Sequence, residues 1–175
     1  MNRQLSRLAG LLGIAILLVS SVASAQMETP VKEHELLKKL AGDWDVVMHI
    51  MGQEMPGKEH NELIAGDLWL TTTFTADMAG TPFDGHGILG YDKDKKKYVS
   101  IWVDPSRTDM EMMETTMEGT ARVGTTMMMG MSGEKVKTKV VEDMPNNNKR
   151  ILTFMQPGVD GKEMEMMRIV YTRAK

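Results

Sequence analysis

From Gly42 onward the chain is cut by turn signals at intervals too short for anything but strands. Gly52 to Gly57, Ala79-Gly80-Thr81-Pro82, Asp92-Lys93-Asp94-Lys95, Asp104-Pro105-Ser106, Ser132-Gly133-Glu134, Pro145 to Asn148 and Gln156 to Gly161 are the clearest of them. Glycine, proline and asparagine clusters of this kind punctuate backbone structure, and between them the residues alternate with a period of two. The pattern predicts strands over 43–52, 58–66, 68–77, 82–91, 97–104, 108–118, 121–131, 134–143, 149–156 and 163–173. Ten short strands in succession form a meander. A meander of that length has to close or curl, because an open edge exposes unpaired backbone groups and invites aggregation. The expected fold is therefore all-β, an antiparallel up-and-down β-barrel of about ten strands. A two-sheet sandwich is the alternative.

Ahead of the strands, residues 1–25 have the layout of a secretory signal. Arg3 and Arg7 supply a positive start, Leu8 to Val19 an apolar core, and Ala23-Ser24-Ala25 the small-x-small site that signal peptidase needs. The apolar run is shorter than the ~20 residues of a membrane-spanning helix. The expectation is cleavage after Ala25, a periplasmic or secreted product, and no membrane association after cleavage. Residues 26–32 are a polar lead-in, and 33–175 the barrel domain. Within His34 to Leu40, residues Leu36, Leu37 and Leu40 share one helical face, and Gly42 stops the helix. This short helix is the only one expected, and it is placed as a plug at one end of the barrel.

Composition excludes several classes of function. With 21 basic and 24 acidic residues the net charge is −3, so there is no broad basic surface for nucleic acid. The chain has no cysteine, which removes disulfides, zinc-thiolate sites and thiol catalysis. Ser100, Ser106 and Ser132 are the serines after the leader, and none sits in a Gly-x-Ser-x-Gly elbow. Gly85-x-Gly87-x-x-Gly90 matches the dinucleotide fingerprint in letters only, since that fingerprint opens a helix and this one runs into a charged turn. No catalytic residues are assigned. An enzymatic reading would need Asp104, Arg107 and His86 to converge in the lumen. The glycines themselves point to bends or close backbone approach within a strand.

Four histidines remain: His34, His49, His60 and His86. None is paired at the local spacing of a metal site. His49, His60 and His86 lie on different strands, but Trp44, Val46, Met48 and Ile50 share the apolar face of the first strand, which sends His49 outward. His86 is the weak candidate for a metal or for a single axial haem ligand. The Gly-x-Trp of the first strand continues as Asp45-Val46, without the further glycines of the haem-binding barrels it would then resemble. No cofactor is assigned.

Two features carry a family resemblance. Leu40-Ala41-Gly42-Asp43-Trp44 resembles the opening of calycins, the lipocalin-like barrels, in which a Trp closes the floor beneath an Arg from the last strand; Arg168 and Arg173 occupy that strand here. Pro82 to Asp92, Lys96-Lys97-Tyr98-Val99, Ile101-Trp102-Val103-Asp104 and Ile169-Val170-Tyr171-Thr172-Arg173 resemble a bacterial, often secreted domain family of unknown function with a lipocalin-like barrel. The resemblance spans about Glu33 to Arg173. It implies a fold and brings no catalytic residues with it.

Methionine is the compositional outlier, with 19 residues against three each of Phe, Tyr and Trp. On strands, residues i and i+2 share a face. Met110 and Met112, then Met127, Met129 and Met131, then Met164 and Met166 therefore form same-face stripes. Three readings stand: a soft core filler, a pliable thioether-lined cavity, or a Cu(I) or Ag(I) site. The cavity reading makes Met110, Met112, Met127, Met129, Met164, Met166 and Trp102 the ligand-lining residues. It predicts a small apolar or amphipathic ligand held in the lumen. Against it stands a structural or interaction protein whose barrel is filled and whose surface binds a partner.

Overall fold

A computed structural model describes residues 27–78, 80–130, 133–158 and 161–175. The expected leader, residues 1–25, and Met131 lie outside the described residues. A 3-10 turn (Lys32–His34) runs into helix α1 (Glu35–Leu40). Ten strands follow: β1 (Gly42–Ile50), β2 (Gln53–Ile64), β3 (Trp69–Met78), β4 (Thr81–Asp92), β5 (Lys97–Val103), β6 (Glu111–Glu118), β7 (Ala121–Met129), β8 (Lys135–Asn146), β9 (Lys149–Pro157) and β10 (Glu163–Arg173). Each pairs with its sequence neighbours, and β1 pairs antiparallel with β10, which closes the barrel and leaves no sheet edge. Trp44 stands opposite Arg173 and Val46 opposite Tyr171 across the closing pair. Among the described residues no helix is long and apolar enough to cross a membrane.

The barrel has a plugged end. Leu36, Leu37 and Leu40 of α1 are buried against Leu70, Leu89 and Tyr98. The Tyr98 hydroxyl donates to the Glu33 carbonyl at 2.9 Å, and burial pushes its phenol up to about 12. Ala41 ends the helix in an extended conformation, and Gly42 turns the chain into β1 at φ +102°, a left-handed value that favours glycine. Trp44 donates its indole N–H to the Leu40 carbonyl at 2.8 Å, while Arg173 lies over its ring at 3.8 Å. Arg173 also donates to the carbonyls of Ala41 and Lys39, so the last strand holds the helix in place. Arg168, the other candidate for that contact, is exposed on the outside.

Three strand boundaries differ from the sequence pattern by three residues or more. β2 opens at Gln53 rather than 58, because the turn expected over Gly52 to Gly57 shrinks to a two-residue hairpin loop at Met51-Gly52, both at positive φ. β8 continues through Pro145 to Asn146, because the β8–β9 register shifts between Asp143 and Asn146 and an irregular ladder tolerates a missing N–H. β6 begins only at Glu111. Before it, Asp104 accepts from the Ser106 amide at 2.8 Å and Lys135 donates to Asp109, which fixes 104–110 as a turn.

The glycines of β4 serve close approach. A Cβ at Gly85 would lie 2.2 Å from the Trp102 ring, and one at Gly90 would lie 2.3 Å from the Trp69 ring. Each indole is laid flat against a strand that has no side chain there, Trp102 inside the barrel and Trp69 outside.

Candidate functional site

Side chains from all ten strands alternate into the barrel, and they leave a cavity of about 340 Å³ between the helix plug and the opposite mouth. Its walls are apolar around the middle, with Met48, Met113, Met128, Met167, Trp102 and Phe154 among the lining residues. Its two ends are charged.

At the plugged end four ionisable side chains meet away from water. Glu142, 1% exposed, accepts from Arg122 Nε at 2.9 Å and Nη2 at 2.6 Å, and from Arg150 Nη1 at 3.0 Å. Arg150 Nη2 also donates to Glu59, which in turn accepts from Asn61 Nδ2 at 2.6 Å. The Arg150 guanidinium lies 3.6 Å from the Tyr171 ring and 4.8 Å from that of Trp44. Burial pushes the Glu142 carboxyl up, but the charges of Arg122 and Arg150 outweigh that and hold it below the ordinary glutamate value. Burial works against the charge of Arg150 as well, and Glu59 overcomes it. The Tyr171 phenol is raised, chiefly by burial. The result is an ionised, charge-balanced cluster. Two of its donors, Arg122 Nη1 and Arg150 Nε, have no acceptor among the described residues.

At the mouth, Trp102 Nε1 donates to Asp104 Oδ2 at 2.9 Å, and Arg107 Nη1 lies 3.2 Å from Glu111 Oε2. Burial raises the Glu111 carboxyl above its ordinary value, with Arg107 opposing. Both ends of the lumen are thus built from buried polar groups that the alternation pattern does not mark as interior.

This placement corrects the methionine stripes. Met112 is 69% exposed and Met127 48%; Met110, Met129 and Met164 are exposed as well, and none of the five lines the cavity. Their neighbours do: Met113 and Met128 point inward in place of Met112 and Met127. The reason is visible in the register. Tyr98 faces Thr115, which faces Gly124, so the inward residues of β6 and β7 are Glu111, Met113, Thr115, Arg122, Gly124, Thr126 and Met128. Each face here mixes methionines with polar residues, Glu111 and Arg122 inside and Glu114 and Glu118 outside, so apolar alternation does not distinguish the phase. On β10 a register shift between Glu165 and Met167 changes the phase. It leaves Met166 off the cavity wall and brings Met167 onto it. Trp102 lines the cavity.

The assignment of His86 as a weak metal or haem candidate is corrected too. His86 falls between the inward Gly85 and Gly87, is 54% exposed on its side chain, and lies 3.2 Å from Asp84 outside the barrel. His49 points outward beside Glu54, as the phase of β1 predicts, and His60 points outward beside Asp43. His34 is buried beneath the plug, where its Nδ1 accepts from the Val31 amide at 3.0 Å. No histidine lines the lumen, so an axial haem ligand of that type has no candidate there. Asp104 and Arg107 do reach the cavity, without His86. Among the described residues no three His, Asp or Glu side chains cluster as a metal site would require. The buried cluster of Glu59, Arg122, Glu142 and Arg150 was not anticipated from sequence. Its one signal is a charged residue in phase with inward apolar ones, as Arg150 is with Leu152 and Phe154 on β9.

A closed ten-stranded antiparallel barrel with a plugged floor and a lined lumen is the class these features define. The chain belongs to the family described as protein of unknown function (DUF1579), whose model matches residues 29–173. Among solved structures it is similar in fold to Rv2717c from M. tuberculosis, at 13% identity and a TM-score of 0.56, over 83% of this chain and 99% of that one. It is likewise similar to the S-type phycobiliprotein lyase CPES from Guillardia theta, at 12% identity and a TM-score of 0.57, over 83% and 94% of the two chains. No curated protein matches it in sequence.

Proposed function

We propose that this protein is an extracytoplasmic binding module that holds a small apolar or amphipathic molecule in its lumen. The observation that carries the reading is the cavity of about 340 Å³. That volume is within the range of ~300–1,000 Å³ usual for small-molecule sites. Its walls are largely apolar, with aliphatic, aromatic and thioether side chains, and its polar groups converge at the two ends, a make-up that suits such sites. Flexible methionines conform to a ligand without demanding one shape. The extracytoplasmic part rests on Arg3, Arg7, the apolar core and Ala23-Ser24-Ala25.

An apolar environment-sensitive dye should bind the purified protein in a one-to-one ratio. Ser100 lines the cavity between Leu89 and Met113, so Ser100→Phe fills the lumen and should abolish binding. The outward Met112→Glu should leave it intact. Protein recovered from the extracytoplasmic fraction should begin at Gln26.

A second reading draws on the outer wall. Ile88, Ile101 and Met112 stand side by side on β4, β5 and β6, and exposed Met127 and Met129 follow on β7. An apolar band of this kind suits a protein partner. Dye binding lost in Met112→Glu and kept in Ser100→Phe would favour this surface over the lumen.

A further inference from the structure

We propose that the lumen selects an uncharged amphiphile that enters polar end first and presents a hydrogen-bond acceptor, such as an ester or amide carbonyl, to Arg122 and Arg150. The inference rests on the lumen-binding reading and adds the chemistry of the ligand's buried end.

Three observations converge on it. First, Arg122 Nη1 and Arg150 Nε are buried without an acceptor among the described residues, in two side chains that are each more than nine-tenths buried and line the cavity. A guanidinium has donors only, so whatever completes these two groups must accept. An alkane tail or an ammonium head does not.

Second, the charge of this end is already balanced. Glu142 engages both guanidiniums and Glu59 engages Arg150, so two cations face two anions. A carboxylate head would add a third negative charge beside Glu59 and Glu142 where little water screens it. It would also pass Asp104 and Glu111 at the mouth, where only Arg107 among the cavity-lining residues opposes them. A neutral carbonyl satisfies the free donors without that cost.

Third, both ends are charged, but only the deep one carries arginine donors without an acceptor among the described residues, and the apolar wall lies between it and the mouth. Arg150 stacks on Tyr171 next to the plug, whereas Met113, Met128 and Met167 lie toward the mouth. A molecule with an acceptor at one end and an alkyl body behind it matches that gradient.

The test is displacement of the apolar dye from the purified protein by four ligands with the same alkyl chain: decanamide, methyl decanoate, decanoate and decylammonium. The amide and ester should displace it at concentrations about tenfold or more below those of decanoate, a difference of about 1.4 kcal/mol. Decylammonium should be no better than decanoate. Decanoate or decylammonium binding as tightly as the amide would overturn the inference and leave lumen binding intact. The same holds if none of the four competes with a bound dye. Failure of the dye itself, or dye binding unaffected by Ser100→Phe, would instead remove the lumen reading and the inference with it. Glu59→Gln leaves the deep end with one excess positive charge and should shift the ratio about tenfold toward decanoate; an unchanged ratio in the folded variant would mean that floor charge does not select. If Glu59→Gln does not fold, the native protein still decides. Decanoic acid brought below its own pKa should bind as the ester does, and equal binding of both protonation states would overturn the proposal.

Discussion

On the inner face of the β6–β7 hairpin Glu111, Thr115, Arg122 and Thr126 stand beside Met113 and Met128; on its outer face Met112, Met127 and Met129 stand beside Glu114 and Glu118. In most one-face-buried sheets the charged residues stay on the outer face alone. The inner polar groups are tolerated because nearly all are matched: Arg122 by Glu142, Glu111 by Arg107, and Thr126 by the Met112 carbonyl at 3.1 Å. A buried charge that is paired and hydrogen-bonded survives where an isolated one would be neutralised. Exposed methionines need no such compensation, since single apolar residues on a surface carry little penalty. The two faces therefore differ in how much of the fold depends on them.

The largest expected effect tests the inner face directly. Glu142→Gln leaves Arg122 and Arg150 facing Glu59 as their one remaining carboxylate in the cluster and should lose ~3–5 kcal/mol in chemical denaturation. The same residue sets a pH dependence. Its folded pKa lies below the ordinary value of 4.5, so its contribution is complete above that value and is lost as the pH falls through the folded pKa. Acid sensitivity in that window should be weaker in Glu142→Gln than in the native protein. A loss below ~1 kcal/mol would mean the cluster is hydrated and the contrast between the faces is shallow.

Trp44→Ala comes next, at ~3–5 kcal/mol for a fully enclosed ring. Trp44 is 2% exposed and is held by Leu40 and Arg173, so its removal opens the floor beneath the charged cluster as well. A small effect would show that α1 and Arg173 close the barrel without it.

Gly85→Ala should cost ~1–3 kcal/mol, because the added Cβ meets the Trp102 ring at 2.2 Å and must displace it. Trp102 fluorescence should shift toward that of a more hydrated indole. An unchanged spectrum would mean the ring is free to move into the cavity.

The smallest effects belong to the methionines and separate the two faces. Met113→Leu should cost less than ~1.5 kcal/mol but change dye affinity. Met112→Ser should stay within ~0.5 kcal/mol and leave affinity alone. Mild peroxide sharpens this further: sulfoxide should appear at the exposed methionines, Met112 and Met127 among them, with the fold retained, and at Met113 and Met128 only as dye binding is lost.

The sequence by itself determined the strand count and the helix with Leu36, Leu37 and Leu40 on one face; it favoured closure of the meander over a two-sheet sandwich, and the place of Trp44 came from the calycin resemblance. These follow from local physics: turn residues break strands wherever they fall, and a ten-strand meander has few ways to satisfy its edges. What only the tertiary structure decided is which side of β6, β7 and β10 faces inward. A one-residue change of phase exchanges the whole wall, and where the interior contains Glu111, Arg122 and Glu142 the polarity of a residue no longer reports its side. Cross-strand partners settle it instead. Tyr98 places Thr115, Thr115 places Gly124, and the register shift on β10 moves Met167 onto the cavity wall in place of Met166. Glu59, Glu142 and Arg150 come from β2, β8 and β9, so their mutual neutralisation exists only once the barrel has closed.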